Sequence, residues 1–170
     1  FSGFAQVINA CRTVDQLIIG RVQGKAVGGG VGIASAVDYC FATQRAEVKL
    51  SELAVGIGPF VVGPAVERKI GLSAMSELAI NATEWRSAAW AKSKGLYAEV
   101  FDSIEAMDEA VEKLAVRLSN SNPEAMKDLK KIFWQGTSHW DELLEERAGI
   151  SGRLVLSEFT RNAISAFKSK

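Results

Sequence analysis

Residues 22–32 read VQGKAVGGGVG, and this stretch decides the fold. The mostly apolar run over residues 17–22 predicts a strand buried on both faces of a largely parallel sheet, and residues 33–37 predict a helix. Three consecutive glycines allow turn conformations that other residues avoid, and they let another group approach the main chain closely. The amides of Gly29 and Gly30 would then lie at a helix N-terminus, where they suit an oxyanion or a phosphate. A tight crossover between strand and helix would need the same glycines, so other residues must decide.

The rest of the sequence divides near residue 102. Before that position, strands are predicted over residues 39–43, 47–50 and 96–101, and helices from the N-terminus to Cys11 and over residues 60–70, 73–81 and 87–94. After it the pattern is helical throughout, over residues 103–119, 123–135, 138–156 and 157–167. The sequence therefore predicts an α/β fold, with an α/β part over residues 1–102 and a helical region over residues 103–170.

The composition bounds the class of protein. The 170 residues are 48% hydrophobic and carry 20 Lys plus Arg against 20 Asp plus Glu, so we expect one soluble globular domain without net charge. No basic block and no long apolar run is present, so neither a nucleic-acid partner nor a membrane is expected. Cys11 and Cys40 are isolated and the chain has one histidine, so we expect no metal site and two buried, reduced thiols. Reduced thiols favour a cytoplasmic location.

Glu52 is the carboxylate best suited to proton transfer. It follows a predicted strand and lies between Leu50 and Leu53, and apolar surroundings raise the pKa of a carboxyl into a useful range. By position alone, a capped or salt-bridged surface glutamate is the alternative. His139 has no Ser or Cys motif to pair with, so we expect a structural role for it. The four tryptophans lie in predominantly helical regions of the sequence and are interpreted as core or interface residues.

A nucleotide-binding domain is a weaker alternative. Residues 30–35 read GVGIAS, which is close to the dinucleotide fingerprint G-x-G-x-x-G. Ser35, however, stands where a third glycine or an alanine would pack against the strand, and no G-x-x-x-x-G-K-[ST] phosphate loop is present.

Several spaced motifs together resemble the crotonase family of enoyl-CoA hydratases and isomerases. They are IGRVQG at residues 19–24, GGG at 28–30, SAVDY at 35–39, SELAVGI at 51–57, the helical stretch over 71–100, and AFKSK at the C-terminus. The resemblance covers nearly the whole chain. It implies a spiral of ββα units followed by a helical region that builds a homotrimer, commonly paired into a hexamer.

The resemblance also implies roles for individual residues. The amide of Gly29 would be one of two donors to a thioester oxygen, and Glu52 would be the catalytic acid and base. The substrate would be bordered by Gly28, Gly30, Gly32, Pro59 and Phe60. Phe167 and Lys170 would reach the CoA of a neighbouring subunit, and because CoA is part of the substrate no cofactor is expected. We expect the family's N-terminal third, with the second donor and much of the CoA site, to be absent from this chain.

Gly32 stands where hydratases of this family usually carry a second glutamate. Hydration is easiest with two carboxylates that hold one water, whereas moving a double bond from C3 to C2 needs one base and an oxyanion hole. The resemblance therefore favours an isomerase, with Glu52 as the proton carrier. The alternatives are hydration of a 2-enoyl-CoA, including a branched one of the methylglutaconyl-CoA type, and a non-catalytic acyl-CoA-binding or scaffold protein. We expect Gly32 to leave space for a bulky acyl group or for an introduced glutamate.

Overall fold

The computed structural model describes residues 1–168, with side chains described to residue 166. The elements in chain order are α1 (Ser2–Thr13), β1 (Ile19–Val22), β2 (Ala26–Val27), α2 (Gly29–Ala36), β3 (Tyr39–Thr43), β4 (Val48–Lys49), α3 (Gly63–Ile80), α4 (Ala88–Ser93), β5 (Glu99–Phe101), α5 (Ile104–Ser119), α6 (Pro123–Phe133), α7 (Trp140–Val155) and α8 (Glu158–Lys168). A short 3₁₀ helix, Leu53–Val55, follows β4.

The strands form two small parallel sheets. The larger sheet has the order β1-β3-β5, with Arg21 opposite Phe41 and Phe41 opposite Glu99. The smaller sheet pairs β2 with β4 and places Val27 opposite Lys49. The helix α2 carries the chain from β2 back to β3, as parallel strands require a crossover. The predicted α/β class with parallel strands is therefore confirmed.

Two apolar cores hold these elements together. The larger core lies between the three-stranded sheet, α2 and α3, and it includes the fully buried Leu50 and Val66. The second core lies between α1 and α7, where the rings of Trp134 and Trp140 meet edge to face with centroids 5.8 Å apart. Phe4 of α1 packs against both cores. Burial of each such side chain contributes roughly 1.5–3 kcal/mol, so α1 is part of the folded unit.

A buried ion pair joins α6 to the end of α2. Nζ of Lys130 lies 2.6 Å from Oδ2 of Asp38, and the two side chains are 3% and 5% exposed. The main-chain N–H of Ile18 donates to the same oxygen at 2.8 Å, and the indole N–H of Trp134 donates to Oδ1 at 3.0 Å. A buried pair is tolerated when its other hydrogen-bonding positions are filled in this way.

The division of the chain near residue 102, into an α/β part and a helical region, stays a prediction.

The glycine stretch differs from expectation in where its helix begins. We predicted a helix from residue 33, but α2 begins at Gly29, because Gly29 and Gly30 themselves belong to its first turn. Only Gly28 of the triplet has a positive φ, of 51°. The strand β2 was not predicted, since two residues carry no periodic signal.

Gly71 separates two helical segments, as predicted. The helices expected over residues 60–70 and 73–81 both lie within α3, and Gly71 interrupts them with a non-helical φ of 79° and ψ of 160°. Glycine adopts this backbone conformation without a steric penalty, so the chain bends and resumes its helix.

The two cysteines are both free thiols. Cys40 is buried as expected, whereas Cys11 is only half-buried.

No helix within residues 1–168 is long and apolar enough to cross a membrane. Within the same residues, no group of three or more His, Cys, Asp or Glu side chains is arranged to hold a metal ion.

Candidate active site

The glycine turn presents the first amides of α2 at the end of the small sheet. The N–H of Gly28 donates to the carbonyl of Lys49 at 2.9 Å, which ties the turn to β4. Gly28 then caps α2 with φ 51° and ψ −109°, and its carbonyl accepts from the N–H of Gly32 at 3.0 Å. The first amides of a helix have no partner within it and lie at the positive end of its dipole. Amides in this position can donate hydrogen bonds to an acceptor outside the helix.

Glu52 lies directly beside this turn, in the loop that follows β4. A Cβ added to Gly28 would lie 2.8 Å from Oε1 of Glu52, so glycine is needed there both for its φ and for the closeness of the carboxylate. The carbonyl of Glu52 accepts hydrogen bonds from the N–H groups of Val55 at 3.2 Å and Ile57 at 3.0 Å. The loop thus holds the main chain of Glu52 in place beside the glycine turn.

The carboxylate of Glu52 is in an environment that favours its protonated form. The residue is half-buried, and among the described residues its buried Oε2 has no hydrogen-bond partner. Burial raises the pKa of Glu52, and a hydrogen bond from its own main-chain N–H lowers it by less. A carboxyl with a raised pKa and one oxygen without a partner is suited both to accept and to donate a proton.

Glu52 and Gly29 share one cavity of about 230 Å³. Its other lining residues are Phe1, Phe4, Gly58, Pro59, Phe60, Val61, Val62 and Ser151. Among the described residues that line the cavity, Glu52 is the only one with an acidic or basic side chain, and most of the others are apolar. The cavity therefore suits a largely apolar group whose proton chemistry is carried by a single carboxylate.

The structure places the predicted site residues in three ways. Gly29, Glu52, Pro59 and Phe60 line the same cavity, with Gly28 directly behind the carboxylate. Gly30 is exposed, and a Cβ there would make only an ordinary contact of 3.4 Å with Ala26. The side chain of Phe167 and all of Lys170 lie outside the described residues.

Gly32 does not leave the space that we expected. A Cβ at Gly32 would lie 2.5 Å from Cγ1 and 2.9 Å from Cβ of Val62, and 3.1 Å from Cε1 of Phe4. Both side chains reach the inner face of α2 from other elements, so the volume that a larger residue would need is already filled. A glutamate cannot be accommodated there without moving the cavity wall.

Sequence reasoning missed the cavity residues that come from distant segments. Phe4 belongs to the apolar face of α1, and that periodicity could have marked it as buried but not as part of the site. Val62 caps α3, and Ser151 is a buried serine on α7 with no motif around it. His139 is exposed at the start of α7 and does not line the cavity.

The C-terminal helix α8 packs against the loop that carries Glu52. Gly56 ends the 3₁₀ helix with a φ of 82°, and a Cβ there would lie 2.5 Å from Cδ1 of Phe159 and 2.8 Å from Oγ1 of Thr160. Thr160 is fully buried at this contact. The helix α8 of this chain therefore packs against the loop that carries Glu52.

Comparison with known proteins gives a family match and several related enzymes. A family model described as Enoyl-CoA hydratase/isomerase matches residues 2–168. A carnitinyl-CoA dehydratase from Escherichia coli (strain K12) is 30% identical over 142 residues, which make up 78% of this chain and 49% of that protein. A carnitinyl-CoA dehydratase from Salmonella agona (strain SL483) is 32% identical over the same length. The chain thus spans about half the length of the curated relatives it matches.

Solved structures show the same fold. An enoyl-CoA hydratase from Mycobacterium avium subsp. paratuberculosis K-10 superposes with a TM-score of 0.88 at 23% identity, covering 98% of this chain and 69% of that one. An enoyl-CoA hydratase/isomerase from Pseudoalteromonas atlantica T6c gives a TM-score of 0.87 at 19% identity, covering 95% and 65%. The expected crotonase-type fold is confirmed. Together with the family match over nearly every residue, it shows that this chain belongs to the crotonase family of enoyl-CoA hydratases and isomerases.

Proposed function

We propose that the protein acts on an acyl-CoA thioester through an enolate, with Glu52 as the single proton carrier. The observation that carries this proposal is the half-buried carboxylate of Glu52, unpaired at Oε2, in one cavity with Gly29. The amide of Gly29 is proposed as one of two donors to the thioester oxygen. Such a donor is typically worth about 3–4 kcal/mol in the transition state, because the charge on that oxygen grows as the proton leaves.

Isomerisation is the reaction proposed first. Glu52 takes a proton from C2 of a 3-enoyl-CoA, the electron pair delocalises onto the thioester oxygen, and Glu52 returns the proton at C4, so the double bond moves from C3 to C2. One carboxylate suffices for both transfers. The filled space at Gly32 supports this order, since Val62 and Phe4 leave no room for a second carboxylate at that point of α2.

Hydration and its reverse, dehydration, form the second candidate. The relatives from Escherichia coli and Salmonella are named carnitinyl-CoA dehydratases, and dehydration also begins with removal of the proton at C2. In this reaction Glu52 would deprotonate C2 while the hydroxyl at C3 leaves. The group that protonates the leaving hydroxyl would have to be something other than a carboxylate on α2.

The experiment is an assay of the purified protein on matched 3-enoyl-, 2-enoyl- and 3-hydroxyacyl-CoA substrates. Glu52→Gln should abolish turnover while leaving acyl-CoA binding largely intact, because glutamine keeps the shape and loses the proton. The control is Glu84→Gln, which removes an exposed carboxylate outside the cavity. Acyl-CoA binding without turnover of any substrate by the parent protein would favour the non-catalytic alternative. Turnover retained by Glu52→Gln would refute the proposed base.

We also propose a homotrimer or a dimer of trimers. Large apolar side chains remain exposed on three elements, with Ile80 at 72%, Ile132 at 56% and Leu156 at 70%. Exposed apolar surface of this kind is typical of subunit contacts. Sedimentation equilibrium of the purified protein tests the proposal, and a monomer at micromolar concentration would contradict it. The proposed contacts of Phe167 and Lys170 with CoA, and the cytoplasmic location, stay predictions.

A further inference from the structure

A second, larger cavity lies next to the Glu52 cavity. It has a volume of about 580 Å³ and shares Pro59 and Phe60 with the first. The helix α7 also runs along both, since Arg147 lines the larger cavity and Ser151, one helical turn later, lines the smaller one. Pro59 and Phe60 therefore form a wall common to both cavities, and the larger cavity lies beside the one that contains Glu52.

The wall of the larger cavity is mainly apolar. Leu72 and Met75 of α3 face Leu143 of α7 across it. This lining suits the methylene groups of an acyl chain, which gain from leaving water. The cavity therefore provides a place for the part of the substrate that lies beyond the reacting carbons.

Three charged residues line this cavity, namely Glu67, Arg68 and Arg147. Arg68 is already engaged, because its guanidinium lies 3.9 Å from the ring centre of Trp134 and donates to the main-chain carbonyl of Phe133. Arg147 is half-buried, and it takes part in no ion pair among the residues that the structure describes. Two guanidinium groups against one carboxylate leave the cavity with one net positive charge, which favours an anionic ligand.

We propose that the larger cavity holds the distal end of the acyl group and that Arg147 pairs there with a terminal carboxylate. The substrate class is then an acyl-CoA whose chain ends in a second carboxyl group. This inference rests on the proposed function, which places the thioester at Gly29 and C2 at Glu52. A guanidinium is suited to this task because its planar set of N–H donors can hold a carboxylate through two hydrogen bonds.

The test compares two saturated ligands of equal length, adipoyl-CoA and hexanoyl-CoA, which differ only in a terminal carboxylate or methyl group. Binding is measured by isothermal titration calorimetry. Adipoyl-CoA should bind about tenfold more tightly, the effect of one charge-assisted pair at a half-buried site. The ratio of the two affinities should fall with added salt, because the pair is partly exposed to solvent, whereas the screening of the CoA phosphates is common to both ligands and cancels in the ratio.

Variants assign the preference to Arg147. Arg147→Gln should remove it without changing the affinity for hexanoyl-CoA, and Arg147→Lys should keep part of it. Arg153→Gln is the matched control, since Arg153 is an exposed arginine on the same helix and does not line the cavity. Glu67→Gln should strengthen adipoyl-CoA binding, because it removes the competing negative charge.

The outcomes separate this inference from the proposed function. Equal affinity for the two ligands in the parent protein, or a preference that survives in Arg147→Gln, would overturn the role of Arg147 whether or not the protein turns over enoyl-CoA. A preference that depends on Arg147 would support the inference even if no enoyl-CoA were converted. In that case only the proposed proton transfer by Glu52 would be refuted.

Discussion

Replacing Gly32 by alanine should destabilise the protein, although alanine is the better helix former. In an unconstrained helix interior the change gains about 1 kcal/mol. Here the new Cβ would lie 2.5 Å and 2.9 Å from two atoms of Val62, which is itself 5% exposed. Because one of those atoms is the Cβ of Val62, rotation of its side chain cannot relieve both contacts, and the main chain must shift.

The expected net change follows from these opposing effects. Overpacking of this kind costs about 1–3 kcal/mol, and the absence of a rotamer that relieves it favours the upper half of that range. After the gain in helix propensity, Gly32→Ala should lower the free energy of unfolding by about 1–2 kcal/mol. Urea denaturation measures it as a lower midpoint with an unchanged slope.

Two further variants make the comparison decisive. Gly30→Ala lies in the same helix and would meet only Ala26 at 3.4 Å, so it should be neutral or stabilising by up to about 1 kcal/mol. In a double-mutant cycle, Val62→Ala should offset part of the cost of Gly32→Ala, with a coupling energy on the order of 1 kcal/mol. If Gly32→Ala is as stable as Gly30→Ala, or if the cycle shows no coupling, the packing of Val62 against α2 is not as described.

Three further predictions concern the charge on Glu52, the turn before α2 and the buried ion pair. Burial raises the pKa of Glu52 in the folded protein. The parent protein should therefore lose stability relative to Glu52→Gln as the pH rises from the usual glutamate pKa of 4.5 through the raised pKa. Urea denaturation at several pH values measures this difference in stability, and a difference that does not change with pH would contradict the prediction. Gly28→Ala should lower the free energy of unfolding by about 1–2 kcal/mol, because alanine is strained at a positive φ. It should also reduce turnover, because the new Cβ would displace the carboxylate of Glu52. The control Gly24→Ala, whose Cβ would meet nothing within 4 Å, should have neither effect. Asp38→Asn should cost about 3–5 kcal/mol in thermal unfolding, since it leaves the buried Lys130 without its counter-ion. Asp15→Asn, at an exposed pair, should cost less than about 1 kcal/mol, and similar losses from both variants would refute the distinction.

Local signals in the sequence predicted much of the fold. The apolar run over residues 39–43 matches β3, and Ser87, Ser103 and Asn122, next to predicted helix starts, cap their helices through side-chain hydrogen bonds. These features depend on neighbours a few residues away, so they are visible in a single sequence. The closeness of Glu52 to the glycine turn joins positions 24 residues apart, so it could be predicted only from the resemblance to the family and not from local patterns.

The walls of the candidate site could not be predicted in this way. Phe4, Val62 and Ser151 meet at the cavity because α1, α3 and α7 pack around it, and no local pattern states which helix faces which. The error at Gly32 has the same origin. A missing side chain indicates space only if no distant residue fills it, and Val62 lies thirty positions further along the chain.

The pairing of β2 with β4 is only two residues long, yet it aligns the groups proposed to react. Val27 lies opposite Lys49, and the hydrogen bond from Gly28 to the carbonyl of Lys49 extends the ladder into the turn. A slip of one residue would move the carboxylate by about 3.3 Å and turn alternate side chains to the other face. Main-chain hydrogen bonds thus set the distance between amide and carboxylate, while side chains from three helices shape the cavity. If the protein acts as proposed, substitutions in those helices should change which acyl group it accepts without disturbing the alignment of Gly29 and Glu52.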